Sequence, residues 1–371
     1  MPRTPPHESQ ARFFVQLQHL LTAGEFVSTY KFALLLALTR WAVENPDHDE
    51  KVPLRVDALA EHFVSIYWPQ VRPFAVAEPS RGQPAASAVA EPTPVYGLGA
   101  SWSSILVQDR GGQRPRVLRR ILDEMQAGAD RVHDLPDERR RRLLQEVAQH
   151  IRTMPLWKLH NTTDGSTTPF LYRRGPDDHH LVFEPGIVAC LNGFAMLIEE
   201  VVRSAWLRFV LRCNPRLVGT PAASLEQFLF PAERGGLAPW RRVLEPLQAG
   251  RCFYCQQPMR KVVVDHFLPW SRYPRDLGPN FVLAHAECNQ KKQDHLASAV
   301  HLARWVERND QHHERLAHAV LVARLPHDWP TLRRVAASLY HVASQSGARV
   351  WQGGRELVEL DARWRSVLGV A

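Results

Sequence analysis

The sequence predicts a mainly helical protein that carries one small α+β module with a structural metal site. Two observations support this fold class. Long segments on both sides of the module have the apolar patterning of helices, whereas the stretch that begins near residue 252 combines short apolar runs with paired cysteine and histidine residues. At 371 residues, the chain is long enough for two or three domains.

Changes in composition and periodicity divide the chain into five segments. We expect a helical N-terminal region over 1–73, a Pro/Ala-rich linker or insertion over 74–101, a mostly helical domain with a short β-hairpin over 102–245, the metal-binding module over 246–310, and a helical C-terminal region over 311–371.

The N-terminal half is expected to be built from helices and one hairpin. The segment YKFALLLALTRWAVE is apolar nearly all round and ends before Pro46, which predicts a buried core helix. A second helix is predicted after Pro136, and a single long helix is predicted over 186–213. Between them, FLYRRGPDDHHLVFEP predicts two short strands around a Gly-Pro-Asp turn.

Helical patterns resume after the module. One is NQKKQDHLASAVHLARW, which is predicted to open at Asn289, and the last is ELVELDARWRSVLG over 356–369. These helical parts are candidates for contact with a protein partner or with a second copy of the chain.

The net charge of +8 at pH 7 favours a polyanionic partner, nucleic acid before an anionic membrane. The run Arg139–Arg142 fits either a solvated helix face or a phosphate contact. The longest apolar run, Phe32–Leu38, is too short to span a bilayer, and the opening MPRTPPHESQ lacks the apolar core of a signal peptide. We therefore expect a cytoplasmic protein without a membrane segment.

Four of the residues that zinc prefers occur as two closely spaced pairs. Cys252 and Cys255 form the first pair, and His285 and Cys288 form the second about thirty residues downstream. This arrangement predicts a closed tetrahedral zinc site that stabilises structure. The alternative is a surface histidine and a buried thiol in the second pair. The other two of the five cysteines lie in apolar context and are most simply buried side chains.

Polar residues mark the junctions between the predicted elements of the module. Val262 to Val264 predict a strand that ends at Asp265-His266, and the turn LGPN brings Asn280 to the start of the next apolar stretch. Asn289 follows Cys288. Taken singly, each of these residues has a structural alternative as a turn, loop or cap residue.

Together these residues resemble the HNH endonuclease family, in the branch whose ββα-metal fold is clasped by zinc. Asp265-His266 matches the paired first position of the family motif, Asn280 the middle asparagine, and Cys288-Asn289-x-x-Lys292 the segment "CNxxK". The resemblance covers about fifty to sixty residues of the sequence. In two departures from the commonest pattern, His285 replaces a zinc-ligating cysteine, and Asn289 stands where many members have histidine.

The resemblance implies a metal-dependent endonuclease that hydrolyses phosphodiester bonds in DNA. His266 would be the general base, because its reference pKa lies near neutrality, and Asp265 and Asn289 would hold Mg²⁺ or Mn²⁺ through hard oxygen atoms. Asn280 would hold the loop that bears His266, and His295 is a rival third ligand. The expected nucleic-acid contacts come from four basic residues: Lys292, Lys291, Arg272 and Arg275.

Two other functions fit the same residues. A non-catalytic zinc module would bind nucleic acid or a partner protein without hydrolysis, and a nuclease of this kind could also cleave RNA. Trp270 and Tyr273 could stack on bases, although packing against the helical part is the simpler interpretation. A role in bacterial defence or restriction is an expectation that comes from the usual biological role of the family.

Overall fold

A computed structural model of the chain describes residues 7–74, 105–217, 221–231, 238–322 and 326–370. The linker or insertion expected over 74–101 lies outside these residues, apart from Phe74. Contacts between residues divide the chain into two compact units. Of the described residues, the N-terminal unit contains 7–41, 49–74, 105–217 and 221–231, and the C-terminal unit contains 42–48, 238–322 and 326–370.

Helices dominate the N-terminal unit. In chain order they are α1 (His7–Ala23), α2 (Tyr30–Glu44, whose last turn belongs to the C-terminal unit), α3 (Ala60–Tyr67), α4 (Arg116–Gln126), α5 (Asp137–Thr153), α6 (Pro155–Lys158), α7 (Ile187–Gly193), α8 (Ala195–Cys213) and α9 (Ala222–Leu229). Three short strands, β1 (Leu54–Arg55), β2 (Tyr172–Arg174) and β3 (His180–Phe183), form an antiparallel sheet in the order β1-β3-β2.

The buried helix predicted from YKFALLLALTRWAVE is confirmed by α2. Its six residues Ala33–Leu38 have 0% exposure, so every face of this helix is covered. The predicted hairpin is also confirmed, since β2 and β3 pair antiparallel, with Tyr172 opposite Phe183. The sequence pattern missed β1, because a two-residue strand has no detectable period.

The single helix predicted over 186–213 is wrong in one respect, because it breaks at Phe194. The backbone of Phe194 leaves the helical region, with φ −112° and ψ 18°, and α8 starts at the next residue. Gly193 precedes the break, and glycine has the lowest helix propensity after proline. None of the described helices in either unit combines the length and the apolar character that a membrane crossing requires.

The C-terminal unit consists of helices and two antiparallel strand pairs. Its elements are α10 (Ala238–Gln248), β4 (Val263–His266), β5 (Phe281–Ala284), α11 (Ala286–Lys292), α12 (Ala299–Gln311), α13 (His313–Val322), α14 (Trp329–Gln345), β6 (Val350–Gly353), β7 (Glu356–Val358) and α15 (Trp364–Leu368). β4 pairs antiparallel with β5, and β6 with β7. A core cluster joins α10, β5 and α13: Trp240, Leu244, Phe281, Leu283, Leu316 and Val320.

Two helix predictions in this unit are wrong. Asn289 does not open a helix, because α11 starts at Ala286 and ends at Lys292, where Gln293 turns the chain with φ 49°. The stretch 356–369 is not one helix, because its first residues form β7. Pairing with β6 through a turn at Gly353 and Gly354, which have φ 150° and 53°, prevails there over the helical pattern.

The loop between β4 and β5 is held from one side by α12. The carbonyl oxygen of Pro279 accepts hydrogen bonds from three side chains of that helix: Trp305 at 2.8 Å, Arg308 at 2.7 Å and Asn309 at 3.2 Å. Arg308 is buried and also donates to the carbonyl of Phe281 at 2.7 Å. These contacts satisfy backbone groups of an irregular segment that would otherwise be buried without partners.

Gly278 explains why the same loop can lie against α10. A Cβ atom at this position would come within 2.7 Å of Cζ3 of Trp240. Only glycine therefore allows the loop backbone to approach the indole this closely. The loop that connects β4 to β5 is fixed at both of these contacts.

Candidate functional site

Two turns bring the four predicted zinc ligands together. The first turn carries Cys252 and Cys255, and the second is the start of α11, where His285 is the residue before the helix and Cys288 lies in its first turn. The four ligand atoms all lie within 4.8 Å of one another. In a tetrahedral site with zinc–sulfur bonds of about 2.3 Å, neighbouring sulfurs are separated by about 3.8 Å. The cluster is therefore close to the dimensions of a closed zinc site.

The imidazole of His285 is oriented for metal binding. Its Nε2 lies 3.2 Å from the carbonyl oxygen of Pro258, which can only accept, so the ring proton resides on Nε2. The lone pair of Nδ1 then faces the thiols, 3.3 Å from Sγ of Cys255 and 4.0 Å from Sγ of Cys288. A second hydrogen bond of this kind is what holds metal-binding histidines in one tautomer.

The electrostatics of the cluster also suit a cation. Burial, followed by the neighbouring Cys252 and Cys255, raises the pKa of the Cys288 thiol to about 12. Three adjacent thiolates repel one another, so a divalent ion among them is what makes their deprotonation favourable. These four residues could therefore hold a structural zinc ion.

Asp265 and His266 are the last two residues of β4, opposite Val282 and Phe281 of β5. Both residues are buried. The Asp265 carboxylate accepts a hydrogen bond at Oδ2 from the hydroxyl of Tyr254 at 2.5 Å, and the Lys292 ammonium lies 3.4 Å from the same oxygen. Burial, and then the charge of Asp265, raises the pKa of Tyr254 well above its usual value, so its hydroxyl is the donor.

The imidazole of His266 is paired with a carboxylate that the sequence motifs did not indicate. Its Nε2 lies 2.7 Å from Oδ1 of Asp276 in the loop between the two strands. The ring also packs against Phe281, with centroids 4.5 Å apart, and near Trp270 at 5.3 Å. Because a carboxylate accepts the proton on Nε2, the lone pair of His266 is on Nδ1. Asp276 lies ten residues beyond His266, in a loop whose sequence has no periodic pattern. The one signal available in the sequence was that an acidic residue occurs in this loop.

Asn280 closes the loop that follows His266. Its side-chain amide is fully buried and forms two hydrogen bonds with the backbone of Leu268: Oδ1 accepts from the N–H at 2.8 Å, and Nδ2 donates to the carbonyl at 3.0 Å. The carbonyl of Asn280 also accepts the N–H of Phe267 at 2.7 Å. These contacts fix the backbone of the loop at Phe267 and Leu268.

The structure buries Lys292, which the sequence suggested as a phosphate contact. Its side chain is 1% exposed, and its ammonium donates to the carbonyl oxygen of His266 at 2.9 Å as well as facing Asp265. With this burial, Lys292 acts inside the module rather than at its surface. Lys291 differs, because it is partly exposed and forms an ion pair with Glu287 on the same helix.

Asn289 lies in α11 and is half-buried, one residue after the zinc-cluster residue Cys288. His295, its rival as third ligand, is also half-buried and follows the turn that ends α11. Both residues therefore belong to the segment that connects the zinc cluster to α12.

The arginines and aromatic residues after His266 mainly make contacts within the protein. Arg275 forms an ion pair with Glu44 at 2.6 Å, and the buried Tyr273 donates to the same carboxylate at 2.9 Å. Arg272 donates from Nε to the carbonyl of Asp294 at 3.1 Å. Packing, the simpler interpretation of Tyr273, agrees with its burial.

The arginine run of α5 in the N-terminal unit is only partly neutralised by carboxylates. Its four members pair with three glutamates: Arg139 with Glu124, Arg140 with Glu61, and Arg141 and Arg142 with Glu138. The pairs of Arg141 and Arg142 with Glu138 are those of a solvated helix face, and such exposed pairs are weak enough that they do not exclude a phosphate contact.

The candidate zinc cluster, the Asp265-His266 pair and the loop held by Asn280 lie close together along the chain. A family model described as HNH endonuclease matches residues 252–298, which span all of these features and confirm the resemblance seen in the sequence. A second family model, described as Domain of unknown function (DUF8808), matches residues 10–225, and because this is more than half of the chain, the protein belongs to that family. No curated protein and no solved structure matches the chain.

We predict that Cys255→Ser removes zinc from the C-terminal unit. Losing one of four ligands should lower zinc affinity by more than the ~10–100-fold that the loss of an orienting partner costs, and should decrease thermal stability, because zinc binding contributes to folding. Elemental analysis of the purified protein should give one zinc per chain for the wild type and much less for the variant.

The matched control is Cys213→Ser, a half-buried cysteine outside the cluster. It should keep the wild-type zinc content. Full zinc content in Cys255→Ser would contradict the assignment of these four ligands.

Proposed function

We propose that this protein is a metal-dependent endonuclease that hydrolyses phosphodiester bonds in DNA. The observation that carries the proposal is the pair Asp265-His266 at the end of β4, with His266 held by Asp276 and the following loop closed by Asn280. The family match over residues 252–298 supports nuclease activity, and the net charge of +8 supports a polyanionic substrate.

In this proposal, His266 removes the proton from the attacking water. The hydrogen bond from Nε2 to Asp276 keeps the proton on that nitrogen and leaves Nδ1 as the basic atom. Asp276 also stabilises the positive charge that develops on the ring when Nδ1 takes up the proton. The packing of the ring against Phe281 limits its rotation, so the basic nitrogen keeps one direction.

Asp265 and Asn289 would hold the catalytic ion. One carboxylate oxygen and one amide oxygen are hard donors, and they suit Mg²⁺ or Mn²⁺ better than zinc. Such an ion, when bound, supplies positive charge to the phosphoryl and leaving oxygens. The buried Lys292 positions Asp265 and His266, since it contacts both the Asp265 carboxylate and the backbone of His266. Contact with the nucleic acid then falls to more exposed cations, among which Lys291 is our candidate.

We expect His266→Ala to lose about 10²–10⁴-fold in cleavage rate, the usual contribution of a general base. The assay follows cleavage of plasmid DNA, single-stranded DNA and RNA in Mg²⁺ or Mn²⁺. His318→Ala, on the exposed face of α13, is the control and should cleave like the wild type.

Equal cleavage by His266→Ala and the wild type would refute the role of His266. Binding without hydrolysis under either ion would favour the non-catalytic module, and cleavage confined to RNA would overturn the DNA substrate.

Asp276→Asn should reduce the cleavage rate about 10- to 100-fold, because an amide can hold the ring but cannot stabilise its positive charge. Zinc content and the thermal midpoint should not change, since Asp276 is partly exposed and lies outside the zinc cluster. If Asp276→Asn cleaves at the wild-type rate, the carboxylate has no part in activating His266.

The third ligand can be assigned by comparing Asn289→Ala with His295→Ala. We expect Asn289→Ala to require about 10-fold or more Mn²⁺ for half-maximal cleavage, because the ion would lose one oxygen donor. His295→Ala should have the wild-type requirement. The opposite result would transfer the ligand role to His295.

A further inference from the structure

We propose that Tyr254, which lies inside the zinc clasp, determines which oxygen of Asp265 meets the catalytic ion. This inference rests on the proposed function, because it concerns the same carboxylate. Tyr254 stands between the zinc-cluster residues Cys252 and Cys255, and its hydroxyl donates to Oδ2 of Asp265 at 2.5 Å. The structural metal site and the catalytic carboxylate are therefore joined by one side chain.

The hydrogen bond is made from a rigid position. The ring of Tyr254 is only 3% exposed, and it packs edge-on against Phe253, His301 and Trp351, with centroids 5.2, 5.4 and 5.1 Å away. Tyrosine has no rotatable bond between ring and hydroxyl oxygen, so fixing the ring fixes that oxygen. The clasp in turn fixes the backbone on both sides of the ring.

Both described partners of the Asp265 carboxylate act on the same oxygen. Oδ2 accepts from Tyr254, and it is also the oxygen that faces Lys292 at 3.4 Å. In the part of the chain that the structure describes, no hydrogen bond or ion pair is made to Oδ1. Occupation of Oδ2 leaves Oδ1 as the oxygen for a metal ion and makes Asp265 a one-oxygen ligand.

A second consequence concerns the zinc site. Zinc would contribute more than fold stability, because it holds the turn from which Tyr254 reaches Asp265. Tyr254 is accordingly a positioning residue, which acts on the catalytic ion through Asp265 and touches no reacting atom.

The test is Mn²⁺ binding to the zinc-loaded full-length protein without DNA, measured from the electron paramagnetic resonance signal of free Mn²⁺. Tyr254→Phe should weaken Mn²⁺ binding about 10-fold or more, the usual effect of removing a group that orients a metal ligand. Zinc content should remain at one per chain. Cleavage by this variant should return largely to the wild-type rate at saturating Mn²⁺, because His266 is unchanged.

Tyr340→Phe is the matched control. Tyr340 is also fully buried in the C-terminal unit, and its hydroxyl donates to a backbone carbonyl, that of Ala297, at 2.6 Å. It should lose a similar hydrogen bond but keep the wild-type affinity for Mn²⁺. If Tyr254→Phe and Tyr340→Phe lose Mn²⁺ affinity equally, the loss is explained by general destabilisation of the unit, and the inference is overturned.

Asp265→Asn separates this inference from the proposed function. If Asp265→Asn binds Mn²⁺ as well as the wild type does, Asp265 is not a ligand and the proposed function fails. If Asp265→Asn loses Mn²⁺ binding while Tyr254→Phe keeps it, the proposed function stands and the role of Tyr254 is overturned.

Discussion

The candidate site depends on the register of two four-residue strands. β4 and β5 pair so that Val263 lies opposite Ala284 at one end and His266 lies opposite Phe281 at the other. His285 of the zinc cluster follows the first end directly, and the loop closed by Asn280 begins at the second. Because side chains alternate along a strand, a slip of one residue would exchange the directions of Asp265 and His266. The register therefore positions the zinc ligands and the catalytic candidates together.

Such short strands cannot maintain this register by their own hydrogen bonds. The outer edge of β5 is completed by the amide of Gln248, which both accepts from and donates to the backbone of Leu283 at 2.7 and 2.9 Å. At the loop, α12 supplies three donors to Pro279, and Lys292 of α11 holds the carbonyl of His266. Zinc binding at the other end would add the kind of cross-link on which small modules commonly rely. Contacts with neighbouring helices thus stabilise the register of β4 and β5, which a larger sheet would stabilise through its own hydrogen bonds.

The two family matches assign different parts of the chain. The nuclease match lies in the C-terminal unit, whereas the match to the domain of unknown function lies almost wholly in the N-terminal unit, which holds the ion-paired arginine run. The exposed ion pairs of this run are weak, so they neither support nor exclude nucleic-acid binding through that surface. This difference concentrates the experimental tests on residues 252–298.

The sequence by itself determined the buried helix α2, and it marked the four candidate zinc ligands, the Asp265-His266 pair and Asn280, because each depends on local spacing or on a local pattern of apolar residues. Only the tertiary structure decided that Asp276 pairs with His266, that Tyr254 reaches Asp265, and that Lys292 points inward. It also decided the break at Phe194 and the strand β7. The physical reason is common to these cases: they depend on contacts across loops or between separate elements, and such contacts leave no periodic trace in the sequence.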